Sequence, residues 1–586
     1  MKLVIRYAMI EIVLLVFVFS FFTRPAHAGG VVGDGTPGSC TEAALNTALV
    51  GGGTVTFNCG GPKTILITSQ KTIAQNTVIQ GGGVITITGG LATRLFQVIA
   101  PASLTLNDIT LDSGFSTGVD SGGAIYSNGM LSLSNVTVQN SQTGPNLCGG
   151  AIFANGVVSI SNSRFSKNTA DYAGGAICTG SNLITTTVQI TNSSFSNNKA
   201  VSTAVGSGKG GAIFVNFNGG NLTVIDSAFN GNSAQYGGAL YIDQGGTATL
   251  RTQNTTSPTY FLSNYATDSG GAVLNIGSLS VYGVQFNGNT AQNIIAAGYG
   301  GAVANLGALT LSDSSFSLNS GRFGGALLVG ETFNIVGNAR ADVQRTTFFK
   351  NTAGVFGGGL YINASTAVMT VTNSVFNQNT AASGGGAARF NAHLEIANSS
   401  FTSNQSTGGD GGGLWLSFGP NPPDPTLVRV TSVTFSGNTA SSNRGGGIYN
   451  QGYSLLKNIT FKDNTNGIFN AGTTHLGNSV LDNPGSLNCD GTGTPISSDG
   501  HNLSTDNSCA VEINATAAQL GPLTTNNNGV NHTDYHMPLT GSPLINAATG
   551  CPTLDQRGAM RPDACDIGAV EYGGLIPQAY MPLIIK

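Results

Sequence analysis

The chain runs to 586 residues with 85 glycines, and only 9% of it is charged, against about 25% in ordinary soluble domains, which argues against a string of conventional enzyme domains. With 23 basic and 27 acidic residues the net charge is −4, so there is no basic field to hold nucleic acid. Hydrophobic residues at 40%, 28 Phe among them, exclude a disordered Gly/Ser linker and require a core beneath a surface made polar by Ser, Thr, Asn, Gln and Gly.

Lys2 and Arg6 precede an apolar run from Met9 to Phe22, broken by Glu11 and Ser20, and Ala26-His27-Ala28 follows. This charged, apolar, small-x-small order reads as a secretory signal over 1–28, cleaved after Ala28. An uncleaved anchor is the alternative, since about 20 apolar residues can span a bilayer. No comparable run follows, so no spanning segment is expected in the mature chain; residues 579–586 are apolar but short, and no prenylation or retention signal ends the sequence. In an exported protein the cysteines are expected as disulfides between sequence neighbours: Cys40 with Cys59, Cys148 with Cys178, Cys489 with Cys509, and Cys551 with Cys565. They show no CxxC spacing and no Cys/His cluster, so neither a metal nor another cofactor is expected.

Residues 29–115 read as a cap and first turns, and 116–475 as a repeat array. A Gly-Gly-small-aliphatic tetrad starts at Gly122, Gly149, Gly174, Gly210, Gly237, Gly270, Gly300, Gly324, Gly357, Gly411 and Gly445, with a looser copy near Gly384. In phase with it, Phe-x-x-Asn recurs as Phe165/Asn168, Phe195/Asn198, Phe229/Asn232, Phe261/Asn264, Phe286/Asn289, Phe316/Asn319, Phe348/Asn351, Phe376/Asn379, Phe401/Asn404, Phe435/Asn438 and Phe461/Asn464. Aliphatics alternate ahead of many of these Phe, as in Val158/Ile160, Leu222/Val224, Leu309/Leu311 and Val428/Val430, the period-two mark of a half-buried strand. Each repeat therefore predicts two or three short strands and tight turns. Such a unit cannot bury its apolar face alone, so neighbours must stack into a parallel β-helix of about fourteen coils spaced about 4.8 Å apart. Paired glycines suit a sharp corner with positive φ and close approach between coils. Asn at the fourth motif position suits left-handed backbone and hydrogen bonds to the stack. A β-propeller is disfavoured by the period and by the lack of Trp-Asp signals.

The two motifs resemble the polymorphic outer membrane protein repeat of bacterial surface and autotransporter passenger proteins, over about 120–470. The resemblance implies an all-β, single-stranded right-handed parallel β-helix, a pectin-lyase-like solenoid with N- and C-terminal caps, displayed at the cell surface or secreted, and adhesin-like. It departs from the pattern in that only a short tail, 573–586, follows the last region, so no autotransporter barrel is expected. Residues 476–572 resemble the choice-of-anchor Q domain, through Leu520-Gly521-Pro522-Leu523, His536, Gly541-Ser542-Pro543-Leu544-Ile545, Cys551-Pro552, Asp555-Gln556-Arg557-Gly558, Arg561-Pro562 and Cys565-Asp566-Ile567-Gly568-Ala569-Val570-Glu571. That likeness assigns no reaction.

Glycoside hydrolysis normally needs two carboxylates about 5–9.5 Å apart, here on neighbouring coils. The repeats hold few acids, Asp226, Asp268, Asp313, Glu331, Asp342, Glu395 and Asp410, and these do not fall in register on adjacent coils, so no catalytic residue is assigned and these acids are expected in turns or solvent. His532 and His536 are read as loop residues, and Asp555, Arg557, Arg561 and Asp566 as a network securing the cap. Aromatics just before the glycine pair, Tyr236, Tyr299, Phe323 and Phe356, with Tyr172 one residue further back, are the candidate ligand-stacking residues; an ordinary corner ladder would use the same side chains. The function expected is non-catalytic binding of an extracellular glycan or of a ligand on a host or neighbouring cell. The alternatives are a carbohydrate-active enzyme with its site on longer loops such as 179–209 or 417–428, and a structural envelope component.

Overall fold

The computed structural model describes residues 29–576 except 119, 181–185, 204–205, 218, 293–297, 332–338, 365, 392, 418–427, 510 and 527–531. The expected signal segment lies outside these residues, as do 577–586 and parts of both long loops.

One repeat shows how the sequence makes a coil. Val157–Ser161 alternates exposed and buried side chains, with Val158 and Ile160 inward. Asn162, at φ 50°, breaks the strand and redirects it into Arg164–Ser166, where Phe165 points inward. Lys167, at φ 56°, makes the next corner into Thr169–Ala170. The glycine pair then turns the chain into Ile177–Thr179. A coil thus has four short strands on three faces, more than the two or three the pattern suggested, because a single left-handed residue splits the long face in two. Repetition assembles three parallel sheets of 32, 12 and 16 strands around one continuous core. At about 4.8 Å per strand the 16-stranded sheet makes a rod roughly 70 Å long. The fold is a right-handed parallel β-helix.

Register converts each motif into a ladder. Phe165 pairs with Phe195, and the series continues coil by coil to Phe461. Ring centroids in this stack lie 4.6–5.1 Å apart, nearly parallel. The motif asparagines are fully buried and hydrogen-bonded along the axis. In each step, as at Asn232, the backbone N–H and Nδ2 both donate to Oδ1 of the next ladder residue, Asn264, at 3.0 Å, and Nδ2 also donates to the Phe195 carbonyl. None of the motif asparagines has the left-handed backbone expected of it. The residue just before takes that conformation instead, at Lys167, Asn197, Gly231, Ser263, Gly288, Leu318, Lys350, Gln378, Ser403, Gly437 and Asp463. The reason is geometric: the corner needs one positive-φ residue, and the asparagine beyond it must aim its amide inward.

The glycine pair divides two tasks. Gly324 has φ +66°, and a Cβ there would overlap the Leu327 carbonyl oxygen; Gly325 is extended, but a Cβ would overlap the Gly358 oxygen of the next coil. At the loose copy the equivalent pair is Gly385-Gly386, and Gly384 occupies the position before it.

The ends are closed differently. The helix Glu42–Leu49, N-capped by Thr41, buries Leu45 and Ala48 over the first coil. It is held by the Cys40–Cys59 disulfide and by a Glu42–Lys71 ion pair. At the other end the coils run on to Ile513–Asn514, stapled by Cys489–Cys509. The chain then doubles back along the side of the rod. Within this strap, a hairpin of Leu520–Thr525 and Asp534–Pro538 bonds to the outward residues flanking the Phe ladder: Asp534 to Ser400 and Thr402, and His536 Nε2 to Ser436 Oγ at 2.9 Å. Gln556 continues the contact to Thr434, and the Ala569 N–H to Thr460. This region is therefore a side strap over several coils as well as an end cover.

Candidate functional site

The corner aromatics lie in two rows that the coil geometry sets side by side. The first is the position before the glycine pair, aligned through Cys148, Ala173, Lys209 and Tyr236, then Ser269, Tyr299 and Phe323, then Phe356, Gly384 and Asp410. The second is the outward-facing middle residue of thirteen successive strands in the 16-stranded sheet: Tyr126, Phe153, Cys178, Phe214, Tyr241, Leu274, Ala304, Leu328, Tyr361, Arg389, Trp415, Tyr449 and Phe469. This second row escaped the sequence reading. The signal was present, four residues after the first glycine of each tetrad, but cysteine, leucine and alanine interrupt it.

The rows share a cluster of their own outside the main core. Tyr236 and Tyr299 are only 4% and 8% exposed and belong to it, so they are not an open platform, whereas Phe323 and Phe356 are partly exposed. Tyr299 and Phe323 stack at 5.2 Å, and Phe323 meets Tyr361 at 5.7 Å. Burial pushes the Tyr241 phenol well above its ordinary range and raises that of Tyr361. The Cys148–Cys178 disulfide links the two rows across adjacent coils.

Cations are interleaved with these rings. Lys209 Nζ lies 5.0–5.8 Å from the ring centroids of Tyr172, Phe214 and Tyr241, and pairs with Asp243 at 3.8 Å. Arg322 lies over Phe323, and Arg444 over Phe469 while pairing with Asp410 at 3.5 Å. Arg389 sits in the angle between two perpendicular rings, its Cζ 3.6 Å from the Phe356 centroid and 4.4 Å from that of Trp415. Trp415 Nε1 donates to Gln451 Oε1, and Gln451 Nε2 donates to the Tyr449 hydroxyl, each at 3.0 Å. The arrangement offers ring faces, fixed cations and a polar rim along one side of the rod.

The acids are placed elsewhere. Asp226 and Asp313 occupy left-handed turn positions; Asp226 accepts the Gln253 and Asn254 N–H groups, and Asp313 pairs with Arg345. Asp342 accepts from Gln344 and Thr370, and Asp268, raised by burial, accepts from Ser269. A groove of about 850 Å³ beside the turn at 253–260 is lined by Asn, Ser and Thr, and Asp226 is its one carboxylate among the described residues. His532 is exposed and His536 buried in the strap, and no group of three or more His, Cys, Asp or Glu is arranged to hold a metal among the described residues. In the strap Arg557 binds Asp555 at 2.7 Å and Arg561 binds Glu571 at 3.2 Å, all four buried. Cys551–Cys565 completes the set of expected disulfides.

Residues 162–180 and 192–216 match the sequence model of the Chlamydia polymorphic membrane protein repeat, and residues 337–484 match that of the right-handed beta helix region. In those two segments the rod is similar to the polymorphic membrane protein repeat. Polymorphic membrane proteins are surface-associated, and four disulfides fit the same extracellular location. Neither a curated protein nor a solved structure matches the chain significantly. No helix among the described residues is long and apolar enough to cross a membrane.

Proposed function

We propose that this polymorphic membrane protein repeat rod is exported by its N-terminal signal and acts as a non-catalytic, adhesin-like binder of extracellular ligands, glycans foremost. One observation carries the reading: aromatic rings line a single outer face for much of the rod's length, with Lys209, Arg322, Arg389 and Arg444 set among them, on a chain otherwise poor in charge. Ring faces stack on the apolar faces of sugars, and a stacked array gathers many weak contacts along an extended chain. Phe323 and Phe356 remain the accessible members of the candidate stacking set; Tyr299 stacks on Phe323 from the next coil, and Tyr236 is buried further along the same row. The likeness of 476–572 to the choice-of-anchor Q domain fits a surface protein held by a separate anchor.

A hydrolase is less well supported by the polar groove, whose Asp226 is engaged by two backbone N–H groups and lacks a second carboxylate beside it. The test is a glycan array probed with the purified chain, with reducing ends assayed on the same polysaccharides. Binding without release of product is expected; release of new reducing ends would overturn the non-catalytic reading.

A further inference from the structure

We propose that the face around Arg389 is an acidic-glycan site, in which the guanidinium takes a sugar carboxylate while Phe356 and Trp415 supply ring surface. The proposal deepens the binding-rod reading and rests on it.

Arg389 is the one residue of the outer row where a cation replaces an apolar or aromatic side chain, between Tyr361 and Trp415 in register. Two other cations set among these rings, Lys209 and Arg444, have carboxylate partners, at 3.8 and 3.5 Å. Among the described residues Arg389 has none, and its Nε and Nη1 are buried with no hydrogen-bond acceptor. Arg389 as a whole is half-buried, but donors shut off from water without an acceptor are costly, and the two adjacent rings return only part of that cost. Burial accordingly lowers the guanidinium pKa, as expected of a cation lacking an anion. The setting favours arginine over lysine, because a planar guanidinium lies flat on a ring face and still donates from its edge.

The cage is built. Gly384 leaves the space in which the Trp415 indole lies, since a Cβ there would overlap its ring carbons. Trp415 meets Phe356 and Tyr449 edge-on at 5.6 and 5.2 Å. A glycan suits this better than an acidic peptide because the demand is for one anion set among flat rings and neutral polar residues, with the next cation, Arg444, already paired. A chain alternating acidic and neutral sugars meets that pattern.

Trp415 is the only tryptophan, so its emission reports on this cage alone. The full chain is titrated with hyaluronan and alginate oligosaccharides and with their carboxyl-reduced forms, and affinities are checked by calorimetry. A saturable change in emission is expected with at least one acid form, at least tenfold weaker after carboxyl reduction. Arg389→Lys, which keeps the charge but loses the fork, is expected to weaken binding at least tenfold with circular dichroism unchanged. Equal binding of acid and reduced forms, wild-type affinity in Arg389→Lys, or an equal response to polyglutamate would each overturn the proposal. Neutral glycans captured on the array with Trp415 silent to both acids would overturn it while leaving the binding rod intact; capture of no glycan would overturn both.

Discussion

Asn319 illustrates how much one side chain does in a stacked fold. Its Oδ1 accepts the backbone N–H and Nδ2 of Asn289, and its own Nδ2 donates to the Phe286 carbonyl and to Asn351 Oδ1. Asn319→Ala leaves buried donors and an acceptor unpaired on two coils, so a loss of about 3 kcal/mol or more is expected in chemical denaturation. Phe316→Leu keeps the inward apolar group but removes a ring stacked at 4.6 and 5.1 Å on its neighbours, and about 1–2 kcal/mol is the expected cost. A smaller effect from Asn319→Ala than from Phe316→Leu would contradict the view that polar satisfaction outweighs ring stacking in this core.

The strap is the element whose stability responds to acid. His536 is buried between the hairpin and the rod; Nδ1–H donates to the Gly521 carbonyl, so Nε2 accepts from the Ser436 hydroxyl. Burial lowers its pKa below the ordinary 6.5, against the opposing pull of the Gly521 bond and of Asp463 and Asp482, with Lys462 adding to the lowering. The folded state thus binds the proton less readily than the unfolded one. The strap's share of stability is complete above about pH 6.5 and falls as pH drops below it. Protection of the Asp534–Pro538 amides, corrected for the intrinsic exchange rate, should fall as pH drops below about 6.5, and His536→Gln should flatten that dependence. An unchanged profile in the variant would assign the acid response to other groups. At the opposite end, burial works to raise the Glu42 pKa, but bonds from Lys71 and Thr68 outweigh it and hold the carboxylate at about 2. The folded value lies below the unfolded one, so this contribution is present above about pH 4.5 and fades as pH falls toward 2. Glu42→Gln is expected to loosen the helix cap by about 1 kcal/mol at neutral pH, a modest effect because solvent screens the pair.

Seen whole, the repeat array is nearly one-dimensional: apart from the strap, each coil touches only the coils above and below, and the ladders are interchangeable along the axis. Deletion of residues 290–319 removes one full period, from the residue after Asn289 through Asn319, and returns Phe286 to register with Phe348. Native-like circular dichroism and cooperative melting are expected for that deletion. Removal of half a period, 305–319, should abolish them because the Phe, Asn and glycine ladders fall out of phase. A folded half-period deletion would refute ladder register as the organising force.

Phe-x-x-Asn and Gly-Gly-Ala-Ile were enough to reveal the coil, its axis and the inward residues, because in a stacked fold every turn must satisfy the same steric and hydrogen-bonding conditions and so repeats the same letters. Cys148–Cys178 and Cys489–Cys509 were visible for a related reason, since residues about one coil apart in sequence lie side by side; Cys40–Cys59 and Cys551–Cys565, in the cap and strap, are close in sequence without that periodicity. The left-handed corner residue was misplaced by one, since Lys167, Gly231 and Leu318 share no chemical type, only a backbone conformation. The pairing of Tyr449, Trp415 and Arg389 with the corner row was hidden because it joins residues from different coils whose identities vary. The strap was hidden too. Its contacts, Asp534 with Ser400 or Gln556 with Thr434, span more than a hundred residues and obey no period, so only the folded chain brings them together.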